Sequence, residues 1–219
     1  MNTYDINTRN KVKRVPARGH YDHKTVYDIL DAGSMCHVGF VIDGQPFVIP
    51  TLYGRKSDKI YLHGAATSRM LKTLDRGIDV CVTITHVDGL VLARSIFHHS
   101  MNYRSVLLFG KAHKVVEEKK EKALFIISEQ IIKGRWEETR KPSAKELKAT
   151  TVLEMPIDQA SAKIRQGPPS DDKADYELNI WAGVVPLNQR KGVPVDDKLN
   201  KEGVEIPESV KNYLKTDTG

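Results

Sequence analysis

The sequence predicts a mainly β, α+β fold: an antiparallel barrel with helices at its periphery. Three observations predict it. Ile78, Val80, Val82 and Ile84 alternate with Asp79, Cys81, Thr83 and Thr85, the period of a half-buried strand. Asp43-Gly44 and Asp88-Gly89 each stand between apolar runs, a short-range hairpin signal. Helical patterns are inserted between these short strands.

The elements follow in order. Residues 1–18 are polar, with Lys11, Lys13, Arg14 and Arg18 and no periodicity, and read as a loosely attached arm. Asp22 is placed to cap a helix carrying Val26, Ile29 and Leu30 on one face, with Gly33 as its stop. Cys36 to Ile42 is a strand, Asp43-Gly44 its turn, and Phe47 to Leu52 the return. Pro50 marks a bulge or an edge position in that return. Lys59 to His63 is another strand, followed by a helix from Ser68 to Leu74 that stops near Gly77.

The alternating strand beginning at Ile78 comes next, with Leu90 to Ala93 as its hairpin return. Arg104 to Val115 is a further strand, bent at Gly110. The longest helix spans Glu117 to Lys133, with Leu124, Ile127, Ile131 and Ile132 as its apolar stripe and Gly134 as its end. Ser143 and Glu146 have the spacing of a capping box for a short helix. Thr151 to Ile157, Ala160 to Arg165 and Leu178 to Leu187 are the remaining strands. Residues 19–190 thus form one domain, and 191–219 a polar tail, partly ordered at best.

Composition narrows the function classes. The chain has 219 residues, enough for one domain with an ample core. No apolar run is long enough to span a bilayer, and the first residues lack the apolar core of a secretory signal, so a soluble cytoplasmic protein is expected. The net charge of +6 either suits an anionic ligand such as a phosphate or simply aids solubility. Its basic residues are interspersed with acids rather than clustered with aromatics, which argues against nucleic acid. Cys36 and Cys81 make no disulfide framework and read as reduced thiols. Dinucleotide-fold glycine motifs, phosphate-loop motifs, nucleophile elbows and the usual zinc spacings are all absent.

Three segments carry the chemistry. In Tyr61-Leu62-His63-Gly64-Ala65-Ala66-Thr67-Ser68-Arg69, a strand ends and a helix begins. Free N–H groups, two hydroxyls and a guanidinium converge there, as a phosphate site requires. The alternative is a plain capped surface helix. His98-His99-Ser100-Met101-Asn102-Tyr103-Arg104-Ser105 enters a strand, where adjacent histidines face opposite ways and make a poor chelate, so no metal site is expected. Arg104 and Ser105 are placed to meet an anion, or Arg104 a surface acid. Trp181, near the end of the fold, is either core or a flat wall for a planar ligand.

These segments, with Phe47-Val48-Ile49-Pro50-Thr51-Leu52, resemble the flavin-nucleotide-binding, nitroimidazole-resistance-related branch of the pyridoxamine 5'-phosphate oxidase-like superfamily over about residues 14–187. The resemblance implies a six-stranded antiparallel split β-barrel with peripheral helices. It implies a homodimer with FMN in clefts at the subunit interface. Pro50, Thr51 and Leu52 would lie along the isoalloxazine ring. His63, Gly64, Ser68 and Arg69 would hold the ribityl chain and phosphate. Tyr103, Arg104 and Ser105 would approach from the neighbouring strand, and Trp181 from the second subunit. The Arg-x-His substrate motif of true pyridoxamine phosphate oxidases is missing after the tryptophan segment, where Leu187 to Gly192 stand instead. An FMN-dependent oxidoreductase of unassigned substrate is the leading function. A non-catalytic flavin sensor and a haem-binding split barrel are the alternatives, the latter resting on the paired His98 and His99. No catalytic base is assigned beyond the candidates His63 and His99.

Overall fold

The computed structural model describes residues 2–216; Met1, at the head of the expected arm, and 217–219, at the end of the expected tail, lie outside the described residues. The chain runs β1 (Gly19–His20), α1 (His23–Asp31), β2 (Met35–Ile42), β3 (Gln45–Lys56), β4 (Lys59–Ala65) and α2 (Arg69–Leu74). It continues through β5 (Val80–Leu92), β6 (Ser100–Gly110), β7 (His113–Lys114), α3 (Glu117–Ile131) and α4 (Ala144–Ala149). It closes with β8 (Thr150–Pro156), β9 (Gln159–Arg165), β10 (Gly183–Pro186) and α5 (Glu208–Lys215). The ladder order is β1-β9-β6-β5-β2-β3-β4-β8-β7, with β10 on β5, and every pairing is antiparallel. The class is the one expected. Among the described residues ten strands replace six, and three of them, β1, β7 and β10, have only two to four residues.

Strand β3 joins the two halves of the barrel. From Gln45 to Leu52 it pairs with β2; from Tyr53 to Lys56 it pairs with β4. The side of β3 facing away from β2 is therefore an open edge up to Leu52, and both Pro46 and Pro50 lie on that stretch, where a missing N–H costs least. The edge reading of Pro50 holds; there is no bulge at it, since the β2 register runs unbroken through His37 and Pro50. The β2–β3 turn places Asp43 at φ 49° and Gly44 at φ 80°, the left-handed pair of a tight hairpin.

The core lies between the two halves. Cys36, Val38 and Phe40 of β2, Val80, Val82 and Ile84 of β5, and Val106 and Leu108 of β6 point inward, with Val26, Ile29 and Leu30 of α1 closing one end. Asp22 caps α1 by accepting from the Thr25 N–H at 2.8 Å. A second apolar cluster, Val115, Ala123, Ile127 and Val152, sits beneath α3. Its helix stripe is Ala123, Ile126 and Ile127, while Ile131 is exposed, so the face predicted through Ile131 and Ile132 is rotated toward the N-terminal half of the helix. Gly54 explains the close approach of α3. An added Cβ there would stand 2.7 Å from Ile127 Cα.

Four further expectations are corrected. Asp88-Gly89 makes no hairpin: β5 passes straight through it with a register shift between Val87 and Gly89, and Leu90 and Val91 go on pairing with β6. The strand expected from Arg104 to Val115 begins at Ser100 and ends at Gly110, and His113 and Lys114 pair with β8 instead. The last strand is only Gly183–Pro186, because Leu178 to Ala182 have no regular pairing. At the N-terminus, Tyr4 and Asn10 are buried, and Arg9 forks onto Asp79, so this lead-in is packed rather than loose. Near the other end, the Ser209 N–H at the start of α5 donates to Glu138 at 2.9 Å.

Cys36 is buried and its thiol is pushed up to about 12 by desolvation, while Cys81 is half-buried; both are free.

Candidate functional site

The turn between β4 and α2 is tight. The Ser68 N–H donates to the Ala65 carbonyl at 2.8 Å, and Ser68 Oγ then caps α2 by accepting from the Leu71 N–H at 3.4 Å. The first N–H groups of a helix have no intrahelical partner, so those of Arg69 and Met70 remain available. Gly64 lets α2 close on β4; an added Cβ would stand 3.1 Å from Leu71 Cδ1. Arg69 is exposed and has no acidic partner among the described residues. Its guanidinium carbon lies 4.6 Å from the Phe47 ring centroid. Phe47, Ile49 and Thr51 share the inward side of β3, so Arg69 reaches the rim of that strand.

His63 is placed differently from the expectation that grouped it with Gly64, Ser68 and Arg69. It pairs across the ladder with Val152, a member of the cluster beneath α3. Desolvation lowers its pKa, and its Nδ1 is buried without a hydrogen-bond partner among the described residues. A neutral imidazole in that position suits packing better than phosphate binding.

The second motif divides by strand alternation. Tyr103 and Ser105 pair with Val87 and Thr85 on the outer side of the sheet, and Ser105 Oγ donates to the Lys163 carbonyl at 3.4 Å. Arg104 points the other way and grips Asp88 with two hydrogen bonds of 3.0 and 2.8 Å. It is therefore already neutralised, the surface-acid alternative for this residue. The paired histidines are also occupied: His98 Nε2 lies 3.5 Å from Asp172, and His99 Nε2 lies 3.2 Å from the Ala93 carbonyl. Trp181 is 67% exposed, so it is not core. Its indole occupies the space a side chain at Gly183 would need, with an added Cβ only 2.8 Å from Cζ2.

The sequence motifs do not announce the outer side of the sheet. Strand alternation puts Met35, His37 and Val41 of β2 on it, with Val48, Pro50 and Leu52 of β3, Val87 of β5 and Leu107 of β6. Met35, Val41, Val48, Leu52, Val87 and Leu107 are all exposed, an apolar-rich surface interrupted on β5 by Thr83 and Thr85. His37 stands near its centre, exposed, directly between Pro50 and Thr83 in the ladder, and without a hydrogen-bond partner among the described residues. A signal for this face does exist in the sequence: β2 and β3 are apolar at both parities, which a strand with one wet side is not.

Within one protomer the predicted residues fall into separate groups. Pro50 and Leu52 lie on the outer side of β3, whereas Thr51 and Arg69 lie toward its inner side. Tyr103 and Ser105 share the outer side with Pro50 but are three strands away, roughly 14 Å at ordinary strand spacing.

The family model described as pyridoxamine 5'-phosphate oxidase matches residues 22–164. Among solved structures, a flavocytochrome from Azotobacter vinelandii is 40% identical, with a TM-score of 0.89 over 94% of this chain and 96% of that one. An FAD- and haem-binding protein from Mycobacterium smegmatis is 34% identical, with a TM-score of 0.87 over 89% and 96%. A putative 5-nitroimidazole antibiotic resistance protein from Bacteroides thetaiotaomicron is 26% identical, with a TM-score of 0.57 over 67% and 86%. No curated protein matches the chain.

Proposed function

This chain belongs to the pyridoxamine 5'-phosphate oxidase family, and we propose that it is a cytoplasmic homodimeric flavoprotein, with FMN held at the subunit interface and an oxidoreductase role. The observation that carries this reading is the apolar-rich outer face, which includes Pro50 and Leu52 beside the open edge of β3. Exposed faces of this kind mark interfaces, and a flat cofactor wants apolar walls with unpaired backbone groups nearby. A second copy brought against that face would supply what one protomer lacks, since Pro50 and Tyr103 are three strands apart.

Some of the residues suit a flavin, and His63 and Arg104 do not. Arg69 and the free N–H groups at the start of α2 fit a phosphate. Arg104 does not, while Asp88 holds it. A bound flavin supplies hydride or single-electron transfer. The chain's own task is to anchor the phosphate, wall the ring and exclude water. No described helix is long and apolar enough to cross a membrane.

A second reading adds haem to the flavin. Two relatives above 30% identity are named for a flavocytochrome and for FAD and haem binding. In this chain His37 offers a free imidazole on an apolar surface, the donor a haem iron takes. It replaces the His98 and His99 pair on which the haem alternative rested.

One measurement tests both readings. The visible spectrum of the purified protein, with mass spectrometry of the released ligand, should show flavin bands. A Soret band beside them supports haem. A colourless protein that leaves FMN fluorescence unquenched on titration ends the flavin reading. Reduction by NAD(P)H, or turnover of a nitroaromatic, then separates an oxidoreductase from a flavin sensor.

A further inference from the structure

Where α3 crosses the end of β3 that pairs with β4, a cavity of about 470 Å³ opens between helix and strand. That volume lies within the roughly 300–1,000 Å³ range of small-molecule sites. Its wall on the helix is Phe125 and Ile126, and Phe125 is steadied by the Trp136 ring packed edge-on at 5.9 Å.

The polar groups around this wall are of two kinds. Some are fully engaged in the frame. Arg55 forks onto Asp31 and lies 4.3 Å over the Tyr27 ring. Gln130 donates to the Leu30 and Gly33 carbonyls at 3.2 and 2.7 Å and accepts from the Arg55 N–H at 3.3 Å. The Glu129 carboxylate accepts the Gly134 N–H at 2.9 and 3.1 Å. The other kind is free. Lys56, Lys122 and Lys133 line the same cavity and have neither an ion pair nor a hydrogen bond among the described residues. The fixed groups keep the cavity shaped, and the charge at its rim that no ion pair offsets is three ammonium groups against the single Glu129 carboxylate, a net positive balance.

We propose that this cavity is a binding site for a small amphipathic anion: an apolar chain or ring seated on Phe125 and Ile126, with one terminal carboxylate met by the Lys56 ammonium together with that of Lys122 or of Lys133, which stand toward opposite ends of the helical wall. The three lysines lie at the end of β3 and on or just beyond helix α3, so a single anionic head bridges strand and helix. The site is separate from the outer sheet face proposed for the flavin and does not depend on that reading.

Isothermal titration of the full chain with dodecanoate, below its micelle concentration, is the test. Saturable one-to-one binding is expected, with dodecanol, which has the same tail and no charge, weaker by about tenfold or more. The double variant Lys122→Glu/Lys133→Glu should lose a similar factor, and Lys122→Arg/Lys133→Arg should retain binding. Both lysines are exposed, so the circular dichroism melt of each variant should match that of the parent. The proposal is overturned if dodecanoate gives no saturable heat, if dodecanol binds equally well, or if charge reversal leaves the affinity unchanged.

Discussion

The guanidinium of Arg69 lies over the ring of Phe47, 4.6 Å from its centroid, and so a residue at a helix start is held against the inward side of the strand that joins the two halves of the barrel. The contact orients a cation that has no acid of its own, and it leaves the outward edge of the guanidinium for a ligand.

Arg69→Ala should therefore weaken FMN binding by roughly 10- to 150-fold, the equivalent of one charge-assisted hydrogen bond of about 1.5–3 kcal/mol. Riboflavin, without the phosphate, should bind the variant nearly as it binds the parent. Fluorescence titration of both flavins measures the contrast. Equal losses for the two would remove Arg69 as the phosphate anchor.

Val48 is 68% exposed on the apolar outer face, so a charge there costs little in a lone protomer. In a dimer it would be an unpaired buried charge, worth about 3 kcal/mol or more. Val48→Asp should give a folded monomer by light scattering, where the parent is a dimer. A dimer that survives the substitution would place the interface elsewhere.

Gly54→Ala should destabilise the fold by about 1–3 kcal/mol through overpacking. The added Cβ would stand 2.7 Å from Ile127 Cα and 2.8 Å from the Ile126 carbonyl, both helix backbone that must shift. Urea unfolding reads the change; Gly44, whose Cβ would meet nothing within 4 Å but whose φ is 80°, should respond through backbone strain instead of crowding.

His63 titrates below its ordinary value because burial disfavours the charged ring. The unfolded chain thus takes up a proton near pH 6.5 that the folded chain still refuses. Its contribution to stability is present above that pH and falls away as the pH drops toward the lowered folded value. His63→Gln should flatten the decline in melting temperature between about pH 7 and 5. An unchanged pH profile would mean that His63 protonates freely in the folded state.

Local signals were legible where the partner lay close in sequence. Asp22 caps α1 through Thr25, Ser143 and Glu146 form their reciprocal box, and Asp43-Gly44 turns the chain. The same dipeptide failed at Asp88-Gly89. There neither residue takes the left-handed conformation, and β10 packs against Gly89, where an added Cβ would meet Val184 Cγ1 at 3.0 Å. The deciding contact was about a hundred residues away, beyond any window of local pattern. The candidate site divided likewise. Ser68 and Arg69 could be read from a helix start, but alternation alone could not show that Arg104 is held by Asp88 across a strand bulge, or that His63 faces the helix layer. The apolar outer face is assembled from four strands, so no single segment announced it.

Strand β3 belongs to both halves of the barrel without interruption, and this ties their phases together. Pleating alternates sides at every residue. Removing one residue near Leu52 would keep Val48 outward only by turning Gly54 away from α3, or keep Gly54 in place by swinging Val48, Pro50 and Leu52 inward. No loop lies between the two stretches to absorb the error. The length of this strand is therefore a quantity the lineage must hold constant while its side chains drift, and insertions should collect instead at the β3–β4 turn around Ser57, whose positive φ of 53° already marks a reversal free of either sheet.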